Sequence, residues 1–319
     1  GYVNKTVCGC GLTSVALEND LDTIIAVPTI YLAINKATQY PNLRCDYNVL
    51  AVWGETSNSE IEEYIANNKV WKIMVTYDSL HKVKSLLSKC KLVIDESNEL
   101  LSKTKLKPEV IDRLFDLAYS VKDKVSFISA TPTPLSYMPK WISELDQVTI
   151  EWDNTIKATP ILCERTYPFK CLKDEFLLPL KDNEYITVAG KTFSKVIVFV
   201  NTVNKIAELI RESKINKEDC GIICGDSLKN DVKIIGINRY TNGELPKFLF
   251  VTSSGFCGID LDCKDAMTIV VSNTAKNWQM IDMLTDLKQA VSRQRNKNNP
   301  NYGSYVYIYN QSLFSKSED

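Results

Sequence analysis

The chain has 319 residues, 45% hydrophobic and 24% charged, the balance of a globular protein large enough for two ordinary domains. Its 38 basic and 39 acidic residues give a net charge of -1, so overall charge does not mark a nucleic-acid binder, though a local basic groove stays open. The longest apolar stretch, near Thr23 to Ile34, is short and holds Pro28, so nothing in the sequence reads as a membrane-spanning segment or a secretory leader.

In chain order, the first half alternates β-branched runs with polar helical stretches. Strands are predicted at Thr23–Val27, Asn48–Trp53, Lys72–Thr76, Leu92–Asp95 and Ser126–Ser129, with helices at Ile30–Gln39, Ser59–Asn67, Ser79–Ser88 and Pro108–Val121. Pro108 suits a first helical turn, where its missing N–H would have had no partner. Gln147–Trp152 reads as a closing strand, and Asp153–Pro168 as a polar connection punctuated by proline. A second series follows, with strands at Lys195–Val200, Gly221–Cys224, Phe248–Thr252, Thr268–Ser272 and Ser304–Tyr309, and helices at Val203–Ser213 and a long Trp278–Gln294. Lys170–Thr192 fits neither series. Such alternation implies an α/β protein with two parallel sheets covered by helices, as domains 1–155 and 156–319. Ligands on such sheets bind at the carboxyl ends of the strands.

Two features fall at such ends. Cys8-Gly9-Cys10-Gly11-Leu12-Thr13-Ser14 has the glycines and the hydroxyl of a phosphate-cradling loop, whose backbone N–H groups close around a phosphate. Leu12 stands where such a loop carries a lysine for the β/γ-phosphates. Val93-Ile94-Asp95-Glu96-Ser97-Asn98 is an apolar strand ending in paired carboxylates: one can hold Mg²⁺ and the other accept a proton from water. The plainer alternative is a solvated acidic turn. Ser129-Ala130-Thr131 ends the next strand, where short hydroxyls can reach the neighbouring carboxylates, or simply mark a strand exit before Pro132.

Ten cysteines accompany a single histidine, His81, without a Cys-x-x-Cys pair. Cys8/Cys10 and Cys220/Cys224 are the candidate metal pairs, but free thiols in a reducing, cytoplasmic compartment are the better reading. The chain opens at Gly1 without a methionine, which suggests a fragment with missing upstream domains.

Taken in order, these segments resemble the helicase core of superfamily 2, the DExD/H-box proteins. Cys8–Ser14 is similar to motif I, Val27-Pro28-Thr29 to motif Ia, Thr76-Tyr77-Asp78-Ser79-Leu80 to motif Ic, Asp95–Asn98 to motif II and Ser129–Thr131 to motif III. In the second half, Val196–Thr202 resembles motif IV, Val251–Ser254 with Gly258–Leu261 motif V, and Gln289–Arg295 motif VI. The resemblance covers essentially the whole chain. It implies two RecA-like domains, ATP and Mg²⁺ in the cleft, and nucleic acid across both.

On that likeness Gly9, Cys10, Gly11, Leu12, Thr13, Ser14, Gly258, Asp260 and Gln289 would bind ATP, and Thr13 with Asp95 would hold the metal. Glu96, Asp95, Arg293 and Arg295 would be catalytic, the arginines neutralising charge on the transferring phosphoryl group. Pro28, Thr29, Thr76, Ser79, Thr252 and Ser253 would grip the nucleic acid's phosphates. Each has a bland counterpart: the arginines as a solvated helix end, the hydroxyls as helix caps.

The chain also departs from the family pattern. Leu12 replaces lysine, Asn98 stands for Asp or His, Ser292 for glycine, and the second motif VI arginine comes one residue early. The leading expectation is an ATP-dependent helicase or translocase acting on single-stranded or duplex DNA or RNA, with other replication proteins as possible partners. The alternatives are a pseudo-helicase that binds without turnover and an unrelated α/β nucleotide-binding protein.

Overall fold

The structure, a computed structural model, describes residues 1–39, 48–104, 107–153, 158–225, 235–241, 243–256 and 259–311. The chain divides into two compact units, Gly1–Thr155 and Ile156–Asp319.

The first unit runs β1 (Tyr2–Asn4), α1 (Leu12–Glu18), β2 (Thr23–Val27), α2 (Ile30–Gln39), β3 (Val49–Val52), α3 (Asn58–Asn67), β4 (Lys72–Thr76), β5 (Lys91–Asp95), α4 (Glu99–Thr104), α5 (Pro108–Tyr119), β6 (Val125–Ser129), α6 (Lys140–Ser143) and β7 (Gln147–Thr149). Its seven strands form one parallel sheet in the order β3-β4-β2-β5-β6-β1-β7. Strands covered on both faces read as continuous apolar runs, and all five residues of β2 are buried. Successive side chains go to opposite faces. Ile24 and Ala26 join the cluster with Ile111 and Leu114 of α5, while Ile25 and Val27 pack with Leu17 of α1 and Leu32 of α2.

Sequence order and space diverge at β1. The chain leaves β1 for β2, with β5 and β6 between them, whereas β6 hands over across β1 to β7. That reversal leaves the β1–α1 loop at the carboxyl edge beside the ends of β5 and β6, the usual ligand position in such sheets.

The second unit begins with β8 (Thr159–Glu164). Next, α7 (Pro168–Cys171) continues through a π-helical turn (Leu172–Leu177) into α8 (Leu178–Asp182). After these come β9 (Ile186–Val188), β10 (Lys191–Phe193), β11 (Lys195–Phe199), α9 (Val203–Ser213), β12 (Cys220–Ile223), β13 (Asn238–Arg239), β14 (Phe248–Val251), β15 (Ala266–Ser272), α10 (Asp286–Val291) and β16 (Ser304–Tyr309). A second seven-stranded parallel sheet has the order β13-β12-β14-β11-β15-β16-β8. The expected α/β class, with two parallel sheets, is what the structure has.

Four expectations are corrected. The polar connection contains a strand: β8 pairs with β16 as the outermost strand, where Pro160 is tolerated and exposed residues hide the strand signal. Lys170–Thr192 forms the end of α7, the π turn, α8 and a β9–β10 hairpin whose Ala189 and Gly190 both have positive φ, as a two-residue hairpin turn requires. The long helix expected at Trp278–Gln294 is a short 3-10 turn (Asn277–Gln279) followed by the six-residue α10. Asp282 interrupts it: its carboxylate accepts from the N–H groups of Leu284 (2.9 Å) and Thr285 (2.8 Å), a local bond that competes with helix. At the far end, Gln294 leaves the helix to bridge Leu261. The predicted helix at Ser79–Ser88 is 3-10 in kind, over Tyr77–Lys89, and broken at Val83. β1 and α1, for which no range was predicted, frame the glycine loop.

Candidate nucleotide site

The loop between β1 and α1 turns on two glycines. Gly9 (φ 71°) and Gly11 (φ 88°) both lie in the left-handed region, and Gly11 has open space around it, so its constraint is conformational. Leu12 has no charge to offer a phosphate. It packs, partly buried, on the cluster containing Val27, Leu32 and Val93. Thr13 instead turns its hydroxyl to the end of β5, where Oγ1 donates to Asp95 Oδ2 at 2.6 Å.

Asp95 and Glu96 are both buried, and Glu96 has a positive φ of 53°, a strained backbone for a side chain of its size. The turn is held from several sides. Tyr77 Oη donates to the carbonyls of Asp95 (2.6 Å) and Glu96 (3.2 Å), Ser97 N–H to Ile128, and Glu96 N–H to Asp95 Oδ1 (3.0 Å). Ser129 Oγ donates to Asn98 Oδ1 at 2.7 Å, so the β6 hydroxyl braces the asparagine rather than the carboxylates. The Thr131 hydroxyl is buried with no hydrogen-bond partner among the described residues.

The counter-charge comes from a residue that sequence reasoning missed. Lys5, just past β1, places its ammonium 3.1 Å from Asp95 Oδ1 and 3.0 Å from Glu96 Oε1, with only 3% of the residue exposed. Burial alone would lower the lysine pKa; the two carboxylates outweigh it and hold it above the ordinary value. Burial would likewise raise Asp95, but the Lys5 charge and the Thr13 hydroxyl hold its carboxyl below the usual range. Sequence offered one signal: two carboxylates buried at a strand end need a cation.

Thr13 and Asp95 offer hard oxygen donors side by side, the type Mg²⁺ takes while keeping several waters. Among the described residues there is no group of three or more His, Cys, Asp or Glu that could hold a metal. The cysteine pairs are not such a site. All eight described cysteines are free, and burial pushes the Cys220 thiol up to about 12.

In the second unit, the segments 259–261 and 289–295 meet. Arg293 is 3% exposed, and its guanidinium turns inward. Nε donates to the Gln289 carbonyl (2.8 Å), Nη1 to the Ile259 carbonyl (3.3 Å), and Nη2 to Gln289 Oε1 and Ser292 Oγ, both at 3.0 Å. Gln289 is buried as its acceptor. Arg295 is the accessible guanidinium, paired through Nε with Asp260 Oδ1 at 2.9 Å. Gly258 lies outside the described residues.

The expected nucleic-acid contacts divide. Thr29 Oγ1 accepts from Leu32 N–H at 3.2 Å and so caps α2. Pro28, Thr76 and Ser79 are buried at or just beyond the ends of β2 and β4. Thr252 Oγ1 is buried and donates to the Ile223 carbonyl at 3.2 Å, whereas Ser253 is exposed.

Residues 180–297 match the family model of the helicase conserved C-terminal domain. That match lies within the second unit. Among solved structures, the chain is similar to Mss116p bound to ssRNA and AMP-PNP, with 15% identity, a TM-score of 0.58, and coverage of 97% of this chain and 66% of that one. It is also similar to S. cerevisiae Dbp5 bound to RNA and ADP BeF3, with 15% identity, a TM-score of 0.55, and coverage of 98% and 79%. At that identity the likeness is one of fold. The chain shares with these structures a fold of two RecA-like α/β domains in tandem. No curated protein is similar enough in sequence to count as a relative. Among the described residues, no helix is long and apolar enough to cross a membrane.

Proposed function

We propose that the chain is a nucleic-acid-dependent ATPase of the superfamily 2 helicase type, with its nucleotide site at the carboxyl edge of the first sheet. The observation that carries this reading is the constellation of half-buried Thr13 with buried Asp95, Glu96 and Lys5 beside the glycine loop. Thr13 and Asp95 would hold Mg²⁺, which when bound neutralises phosphate charge. Glu96 holds its carboxylate next to that position, where it can take a proton from an attacking water. In the second unit, Arg295 is the guanidinium able to meet an anion, while Arg293 keeps the Gln289 and Ile259 segments together. The proposed ligand set is ATP with Mg²⁺, and the polymer a single strand of RNA or DNA gripped at its phosphates, Ser253 being the exposed hydroxyl suited to that.

The test is ATP hydrolysis with and without single-stranded DNA and RNA. Stimulated turnover supports the ATPase. One observation favours a binding module without turnover, namely Leu12 packed on the core in place of a lysine. Anisotropy of a labelled strand decides between the two. A motor's strand affinity responds to a non-hydrolysable ATP analogue, and by reciprocity the strand tightens the analogue by the same factor. A pure clamp's affinity does not respond.

A further inference from the structure

Lys5 is more firmly placed than a cation that merely fills a gap. Its N–H donates to the Ser129 carbonyl (2.8 Å), and its own carbonyl accepts from Trp152 Nε1 (3.0 Å) and Thr6 Oγ1 (2.9 Å). The backbone is therefore pinned between β6 and the segment after β7, and the side chain runs from there to the end of β5. One ammonium thus serves both Asp95 and Glu96. A divalent cation on the Thr13–Asp95 side would compete with the ammonium for the Asp95 carboxylate and weaken its hold. At the position from which a phosphate loop ordinarily offers its lysine, Leu12 packs, partly buried, against the core.

We infer that Lys5 is the phosphate-site cation that position 12 does not provide, delivered from the strand before the loop instead of from the helix after it. This rests on the ATP-site reading above. The ammonium rests on Asp95 and Glu96 without nucleotide and moves to the terminal phosphate oxygens of Mg·ATP, carrying a charge-assisted hydrogen bond. Leu12 is then no sign of a dead loop; the cation has changed its point of attachment.

Calorimetric titration of the full chain with Mg·AMP-PNP tests this in four forms: wild type, Lys5→Met, Leu12→Lys and the double variant. Lys5→Met should weaken binding about ten- to a hundredfold, the worth of one charge-assisted bond. Leu12→Lys should help far more in the Lys5→Met background than in the wild type, since only there is the charge missing. Unchanged or tighter binding by Lys5→Met would overturn the inference and make Lys5 a plug on the carboxylates, with the ATP site intact. Absence of binding by wild type and Leu12→Lys alike would remove the ATP site and the inference together.

A measurement on the wild-type chain covers the case in which Lys5→Met does not fold. An adenosine polyphosphate capped with pyridoxal has an aldehyde that condenses with a lysine amine beside the terminal phosphate, releasing water, and borohydride fixes the imine. Peptide mapping should find the adduct on Lys5 and its suppression by ATP. Labelling elsewhere, suppressed by ATP, would overturn the assignment.

Discussion

Replacing Arg293 by alanine separates a structural arginine from a reacting one. The guanidinium makes four hydrogen bonds within its own unit, at 2.8, 3.3, 3.0 and 3.0 Å, and is 3% exposed. A bond from a charged donor is worth about 1.5–3 kcal/mol, and bonds on one group are not additive, so the loss should be about 3–5 kcal/mol. Gln289 Oε1 and the Ile259 carbonyl would be left buried without this donor. For a unit of this size that corresponds to a Tm lower by about 6–20 °C. Arg295→Ala removes one partner of a partly exposed ion pair and should stay within about 1 kcal/mol of wild type. Differential scanning calorimetry of the full chain, following the second unit's transition, measures both. If Arg293→Ala melts within a degree or two of wild type while hydrolysis is lost, the inward geometry is not the working one, and Arg293 acts on substrate after all.

Glu96→Gln should cut stimulated ATP hydrolysis by about a hundredfold or more while analogue binding survives, since shape is kept and only the proton acceptor goes; steady-state turnover beside titration would expose a wrong assignment. Asp95 is held below its ordinary value of 3.8, so its contribution to stability is full above about pH 5 and drains as pH falls through the folded pKa. A plot of Tm against pH should accordingly steepen below about pH 4, and Asp95→Asn should flatten that acid limb; an equally steep limb in the variant would place the acid sensitivity elsewhere. Lys72, fully buried at the start of β4, donates to Asn19 Oδ1 (2.9 Å), Thr23 Oγ1 (3.3 Å) and the Leu21 carbonyl, fastening the α1–β2 connection. Lys72→Met keeps the stem but strips those donors, and urea unfolding should show a loss of about 2–4 kcal/mol.

The fold was legible where burial on two faces leaves no alternative to an apolar run. β2, β4 and β15 are buried along their whole length, and their sequences read as strands without help from neighbours. Legibility failed where tertiary partners or local side-chain bonds decide. β1 has three residues and is a strand only because β6 and β7 flank it. β8 is largely exposed, so its pattern has no buried face to report. The Trp278–Gln294 pattern has helical spacing, yet the Asp282 carboxylate captures the N–H groups that a helix would have needed. Spacing alone does not register that competition.

The site follows the same division. Asp95, Glu96 and Thr13 stand together because strand ends and a glycine loop are local features, and local features are what motifs encode. A charge's orientation is not local. Arg293 and Arg295 are two residues apart, one turned into its own unit and the other partly exposed and paired with Asp260, a difference that spacing alone does not register. Lys5 shows the complement of this. A template that inspects only the position before Thr13 finds leucine and infers a missing charge. The electrostatics of the fold run the other way: buried carboxylates at 3.1 and 3.0 Å from an ammonium require that ammonium from wherever the chain can supply it. What a phosphate site conserves physically is a positive charge at a point in space, and a chain that pins its backbone to Ser129 and Trp152 can reach that point from β1 as well as from α1.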